Sequence, residues 1–356
     1  MNAEQGGVRG ADQGGDVTVV FVACAASSEV AVFTLEREKE ALELTQCIPV
    51  PAGITPLALD PQQRFLFAGL RGERPAVLSF AIDPHSGRLE LLGDAPLPDP
   101  PMYFATDASG RFLLSASYAA ASFAINAIGA DGRVEGQPAQ HTATPPHAHG
   151  IITDPTGRYL FVTALGGDAI LQYTFDASSG RAVANAVPSV AATPGSGPRH
   201  LVFHPNRAIL YVNGELDGRI SSYALDPLTG VLRALACRSM LSETNDAKPW
   251  AAELAVDPAG CFLYASERRT NTLSIFDVRD ELGALERREI VETEEQPRSF
   301  AIDPRGEFLV VAGEKSNHLT VYEIDARRGH LRARGRCVVG EKPTWVKIAV
   351  LTAVPK

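Results

Sequence analysis

This sequence predicts an all-β fold, a seven-bladed β-propeller of four-stranded antiparallel blades. Three observations predict it. One strand-turn-strand pattern occurs six times along the chain. Its period is close to that of propeller repeats. The two chain ends each carry part of one further unit.

The pattern runs through LALDPQQRFLFAGL from Leu57, FATDASGRFLLSAS from Phe104 and IITDPTGRYLFVTA from Ile151. It continues through LVFHPNRAILYVNG from Leu201, LAVDPAGCFLYASE from Leu254 and FAIDPRGEFLVVAG from Phe300. Each copy is a short apolar run, a turn rich in Asp, Pro and Gly, and a second apolar run. The residues that open the turns are Asp60, Asp107, Asp154, His204, Asp257 and Asp303, separated by 47, 47, 50, 53 and 46 residues. A period of about 45–50 with several β runs per repeat is a propeller signature. The Asp-Pro-x-Gly stretches satisfy turn geometry and receive no chemistry.

A third β run follows in each copy, as in VLSFAID, ILQYTFD and LTVYEID, and most of these meet a turn ending in Gly, as in DPHSG and DARRG. A weaker fourth run, such as RLELLG or HLRARG, completes a hairpin. We name the four strands A to D outward from the axis. Residues Val17 to Leu44 supply B, C and D of one more blade, through VTVVFVAC, VAVFTL and ALEL. TWVKIAV, near Val350, supplies its strand A. The ring closes from both ends of the chain, and no inner edge is left open.

Composition agrees with one folded domain over residues 17–356, preceded by a flexible tail over residues 1–16, which is rich in Gly, Gln and Asp. Hydrophobic residues make up 45% of the 356, enough for a large core. The net charge of -9 argues against a nucleic-acid partner. An anionic small molecule remains compatible with a locally positive pocket. No secretory leader and no membrane span is read, so the expected location is the cytoplasm. The five cysteines, Cys24, Cys47, Cys237, Cys261 and Cys337, have no metal-ligand spacing and are expected as buried free thiols. No metal and no cofactor is expected.

Strand direction alternates within a blade. The D-to-A connections and B-to-C loops therefore emerge on one face, around the mouth of the axial channel. A concave mouth of converging loops is the default ligand site. Five residues before each turn-opening residue stand Thr55, Met102, His149, Arg199, Ala252 and Arg298. Six residues after the start of each B run stand Arg71, Tyr118, Leu165, Glu215, Arg268 and Glu314. Seven ionisable groups thus surround one opening, with Tyr118, Trp250 and Trp345 as aromatic walls. Such a cluster is costly unless paired or used. The plain alternative pairs Arg199 with Glu215 and Arg298 with Glu314. His147 is expected to be exposed or supporting, His200 and His204 to be structural, and Arg269 to face solvent. The arginines of the site are expected on surface loops.

The runs TPGSGPRHLVFHPNRAILYVNGEL, PPHAHGIITDPTGRYLFVTALGGD and PWAAELAVDPAGCFLYASERRTNTL resemble the bacterial propeller-type 6-phosphogluconolactonase family. EEQPRSFAIDPRGEFLVVAGEKSNHLTVYEID and KPTWVKIAV extend the resemblance, which covers roughly Val17 to Val350. That family is similar in turn to the fungal carboxymuconate-lactonising enzymes. The resemblance implies a site of one His, two Arg and one Glu. These fall on His149 in HAH, Arg199 in GPRH, Arg268 in SERR and Glu215 in NGEL. Arg298, Tyr118, Arg71 and Trp250 are the expected substrate-binding residues around them. The loops SYAAASFA and LRGERPAV depart from the family pattern and overhang the mouth, which leaves the lactone open.

The expected reaction is hydrolysis of a sugar-acid lactone, the partner being a small anionic lactone or sugar acid. Water attacks the ester carbonyl, with His149 or Glu215 as general base. Arg199 and Arg268 meet the oxyanion or an anionic tail. No GxSxG nucleophile motif is present, which favours direct attack by water. Two rival readings are a cycloisomerase that closes a muconate-like dicarboxylate to a lactone, and a non-catalytic binding propeller.

Overall fold

The structure, a computed structural model, describes residues 16–37, 41–243 and 248–352. Nearly all of the expected tail lies outside these residues. Asp16 lies within them and forms an ion pair with Arg305.

Seven four-stranded antiparallel sheets are present. Six follow the order A to D along the chain, from Ile54–Leu59 as strand A of blade 2 to Leu331–Val338 as strand D of blade 7. Blade 1 is completed across the chain ends. Its strand A is Pro343–Leu351, and Val17–Cys24, Glu29–Glu36 and Ala41–Pro49 are B, C and D. The register runs from Val17 opposite Leu351 to Ala23 opposite Trp345, so the two chain ends share one blade as the sequence predicts. Blade 3 departs from the others: its outer strand is only Gln140–Ala143, reached through a long C–D connection.

The core is divided between the blades. Seven hydrophobic clusters occur, one in each interface between neighbouring blades. An inner strand packs on both faces, so strand B reads as a continuous apolar run and not as an alternating one. Tyr159–Ala164, Ile209–Gly214 and Phe262–Glu267 are buried at every position. Outer strands are turned largely to solvent, as in Arg181–Ala191, where only Ala182 and Asn185 are buried. This corrects the expectation for the thiols. All five cysteines are free, but only Cys24, on an inner strand, is buried. Cys47, Cys237 and Cys337 lie on strands D, and Cys261 lies beside an A–B turn.

The Asp residues of the A–B turns anchor them from inside. Asp107, wholly buried, accepts the Phe112 N–H at 2.8 Å and the Ser109 N–H at 3.0 Å. His204 does equivalent work in blade 5, pairing Nε2 with the Gly260 carbonyl at 2.9 Å and accepting the Asn206 N–H through Nδ1 at 3.1 Å. The C–D turns pack onto the preceding blade. Gly180 has φ +69, and a Cβ there would lie 2.4 Å from the Phe112 ring, so the turn needs glycine twice over.

Candidate active site

The residue after strand B is tied to the residue that leads into strand A in the same way in six blades. Ala25 N–H donates to the Lys342 carbonyl, Arg71 to Gly53, Leu165 to His147, Glu215 to Gly197, Arg268 to Trp250 and Glu314 to Gln296, at 2.8–3.1 Å. This recurrent bond sets the after-B side chains around the mouth. In five of the six, the accepting residue has a left-handed backbone: Gly53, His147, Gly197, Gln296 and Lys342.

Strand A carries a register shift between residues 54 and 57, 148 and 151, 198 and 201, and 251 and 254. A bulge of this kind re-aims side chains and leaves a backbone N–H without its ladder partner. A polar strand-B side chain accepts that N–H. Thr163 Oγ1 takes it from Gly150 at 2.8 Å, Asn213 Oδ1 from His200 at 2.8 Å, and Ser266 Oγ from Glu253 at 2.9 Å. Blade 2 meets the same need differently, because its bulge residue, Pro56, has no N–H. Strand B there carries Gly69, where a Cβ would come within 2.8 Å of the Pro56 ring. Thr163 and Asn213 also donate across to the next blade, to the Arg199 and Ala252 carbonyls at 2.6 and 2.8 Å.

The bulges hold consecutive residues of strand A against the axis. Arg199 Nε lies 2.7 Å from Glu215 Oε2, and Arg199 Nη1 donates to the Ala252 carbonyl at 2.5 Å. The Nε–H is poorly aligned with the carboxylate, so this contact is electrostatic and not a directed hydrogen bond. Arg268 Nη2 lies 3.2 Å from the same oxygen and donates to the Ala251 carbonyl at 2.9 Å. Its guanidinium carbon sits 3.9 Å from the centre of the Trp250 ring, whose Nε1–H donates to Glu215 Oε1 at 3.2 Å. One carboxylate thus clamps two guanidinium groups. Burial alone would raise the Glu215 carboxyl, but Arg199, Arg268 and the indole N–H hold it below its ordinary range. Arg199 and Arg268 are 1% and 4% exposed. The surface-loop expectation is therefore corrected: the bulge and the tight B–C loop turn both arginines inward.

His149 is buried beside them. Burial first, then Arg199, His200, Arg298 and Arg268, push its imidazole well below the usual histidine range, so the ring is neutral. Its Nδ1 has no hydrogen-bond partner among the described residues. Tyr118 meets His149 edge-on at 6.1 Å and stacks on exposed His147 at 4.2 Å. Arg298 lies 3.9 Å from Glu314, a loose pair, and its Nε is buried without a partner among the described residues. The same holds for Arg71 Nε. Burial and the nearby Arg298 both lower the Arg71 guanidinium. Trp250, Arg298 and Glu314 share one depression at the mouth. Arg71 lies near enough to Arg298 for the two like charges to repel. Arg269 is exposed, 5.7 Å from the Trp250 ring.

Sequence reasoning missed two groups. Glu253 is unmentioned there, and His200 is read as structural. In the structure His200 Nδ1 and Glu253 Oε1 are 2.6 Å apart in the channel. The other miss is Glu267, 1% exposed, which accepts the N–H groups of Trp250, Arg269 and Thr270 and so shapes the loop that carries Arg268. The available signal was a polar residue ending an apolar B run, as in VTA, VNG and ASE.

A seven-bladed ring with an arginine-rich, acid-clamped axial mouth is the architecture of a propeller lactonase. Residues 18–348 match the family described as "Lactonase, 7-bladed beta-propeller", and the chain belongs to it. It is 39% identical to the 6-phosphogluconolactonase of Pectobacterium carotovorum over 334 residues, covering 94% of this chain and 99% of that one. The 6-phosphogluconolactonase of Serratia proteamaculans is 36% identical, with 93% and 98% covered. Among solved structures, the periplasmic gluconolactonase of Pseudomonas aeruginosa superposes with a TM-score of 0.87 at 26% identity, covering 94% of this chain and all of that one. No helix among the described residues is long and apolar enough to cross a membrane.

Proposed function

We propose that this chain hydrolyses a sugar-acid lactone at the channel mouth, with His149, Arg199, Glu215 and Arg268 as the reacting centre. The observation that carries this reading is a neutral, buried imidazole with an uncommitted nitrogen beside a carboxylate-clamped arginine pair. Water attacks the lactone carbonyl carbon and gives its proton to His149. The negative charge that develops on the carbonyl oxygen is met by Arg199 and Arg268. Glu215 neutralises only one of their two charges, so the trio keeps a net positive charge for the oxyanion. The tetrahedral centre collapses, the ring oxygen leaves and His149 returns the proton to it. The product is the open hydroxy acid. Glu215, held down by two arginines, is a weak base, and its role is to fix both guanidinium groups.

Arg71 and Arg298 serve a different part of the substrate. Two neighbouring cations with buried, uncommitted N–H groups suit an anionic tail such as a carboxylate or phosphate. Tyr118 and Trp250 wall the space between. The free thiols fit a reducing compartment, and the proposed location is the cytoplasm.

The test is a panel of glucono- and 6-phosphogluconolactones at fixed pH, with acid release measured against spontaneous opening. In labelled water, one oxygen from solvent should enter the product carboxylate, and no solvent deuterium should appear on carbon. Carbon-bound deuterium without labelled oxygen overturns hydrolysis.

A further inference from the structure

Below the mouth, the channel holds a second acid–histidine pair that the proposed mechanism does not use. His200 follows Arg199 in the bulge of blade 5, and Glu253 occupies the equivalent place in blade 6. Their contact, Nδ1 to Oε1, is 2.6 Å, and Ser299 donates to the other Glu253 oxygen at 3.2 Å. A carboxylate accepts only, so the proton of the pair lies on His200 Nδ1 and the Nε2 lone pair is left free. Nε2 is buried without a partner among the described residues, as is His149 Nδ1. The two imidazole rings are 5.1 Å apart. Tyr103 and Trp345 hold the His200 ring from other sides, at 5.0 and 5.7 Å.

We propose that His200 and Glu253 are positioning residues that support His149 from within the channel: Glu253 fixes the His200 tautomer and holds a negative charge behind the two rings. The inference rests on the lactonase reading. The charged and titratable groups facing the two imidazoles, besides Glu253, are Arg199, Arg268, Arg298, Tyr103 and Tyr118, and Lys347 faces Glu253. Three of these are cations directed at His149. When His149 takes a proton from water, its new charge arises in a positive field. Glu253 is the carboxylate bound to the neighbouring ring, so it offsets part of that charge from one ring away in a medium of low dielectric. Burial alone would raise its carboxyl, but His200, Lys347 and Arg199 keep it ionised, down to about 2. The pair does not touch the substrate and acts only through His149.

Glu253→Gln tests this. The amide keeps the size and the acceptor oxygen but removes the charge. The expected result is a folded protein with KM within about twofold of the parent and kcat lower by about 10–10²-fold. Loss of the negative charge weakens the base, so the acid limb of the kcat profile should also move to lower pH. A merely structural pair would change thermal stability and leave that limb in place. The second measurement is the histidine tautomer in the unmutated protein, read by 15N NMR on histidine-labelled chain at pH 7. It needs neither turnover nor a variant. It should show His200 neutral with its proton on Nδ1. A folded Glu253→Gln protein with unchanged kcat and acid limb overturns the inference, and so does a proton on Nε2 of His200. If no lactone is turned over, the functional reading fails by itself while the NMR result still decides the tautomer.

Discussion

Arg268→Ala separates a catalytic guanidinium from a structural strut. The side chain makes one ion pair at 3.2 Å, two bonds to the Trp250 and Ala251 carbonyls at 3.2 and 2.9 Å, and a stack on Trp250 at 3.9 Å. Removing one partner of a buried pair costs about 3–5 kcal/mol when the other is left alone. Glu215 is not left alone, because Arg199 remains at 2.7 Å and the indole N–H at 3.2 Å. The desolvation cost of the second guanidinium is also relieved. These offsets bring the expected loss to about 1–3 kcal/mol, a Tm drop of a few degrees for a domain of this size. Turnover responds differently. With Arg268 gone, Arg199 and Glu215 sum to zero charge, and the oxyanion loses its net positive partner. Loss of one such donor costs about 10²–10³-fold in kcat. The assay is continuous acid release from 6-phosphogluconolactone, corrected for spontaneous opening, beside a thermal melt of the same sample. A variant that melts a few degrees lower yet keeps kcat within about fivefold refutes the oxyanion role. Arg268→Lys should recover little, since an ammonium cannot span the carboxylate and both carbonyls.

Three further outcomes follow from the same structure. Asn213→Leu removes the acceptor for the His200 N–H and the donor to the Ala252 carbonyl, so it should cost about 2–4 kcal/mol in denaturant unfolding and depress activity by loosening Arg199. A variant as stable as the parent would show that the bulge needs no side-chain partner. Because His149 is neutral well below the usual histidine range, kcat/KM should be flat from pH 6 to 8 and fall only at lower pH; a limb centred near 6.5 would contradict the burial described for it. Glu294, on the connection from blade 6 to blade 7, would be raised by burial but is held at about 2 by Arg336, Ser316 and Thr320. Its folded value lies below the ordinary 4.5, so its contribution is fully present above about 4.5 and is lost as pH falls toward about 2. Glu294→Gln should therefore be destabilising in melts at pH 7, with the gap to the parent narrowing steadily from pH 4.5 to 3.

The repeat was legible because its signals are local. An Asp at a turn, an apolar run on either side and a Gly after strand C each reflect contacts within or next to one blade. His149, Arg199, Glu215 and Arg268 were legible because the blades are equivalent, so counting back from Asp154 or His204, or on from Ile209 or Phe262, carries a side chain to the mouth. Counting fails where the strand is irregular. Strict alternation puts His200 and Glu253 on the opposite side of strand A from Arg199 and Ala252. The bulge brings them back to the channel, and only Thr163, Asn213 and Ser266 hint at it in the sequence. The burial of Arg199 and Arg268 was hidden for a related reason. Both look like loop residues beside Pro or Glu, and their carbonyl partners carry no sequence identity. Cys47, Cys237 and Cys337 were misplaced because strand D is apolar enough to resemble a buried strand while one of its faces meets water.

The closing of blade 1 also sets an order of events during synthesis. Val17 and Leu351 are partners in one sheet, yet about 330 residues separate them. At a usual elongation rate of about 5–20 residues per second, the first strand waits roughly 20–70 s for its inner neighbour. Throughout that interval Val17–Cys24 presents an unpaired apolar edge, the kind that recruits other chains. Blades 2 to 7 emerge complete and in sequence, so the delay falls on blade 1 alone. A permuted chain beginning at Ile54, with residue 351 joined by a linker to Val17, would deliver all four strands of every blade in turn. It should refold faster and aggregate less. It would also lose the latch between the chain ends, and its ring could part along a packing interface without breaking a ladder of sheet hydrogen bonds. The natural order accepts a slow last step and obtains a ring that is hard to reopen.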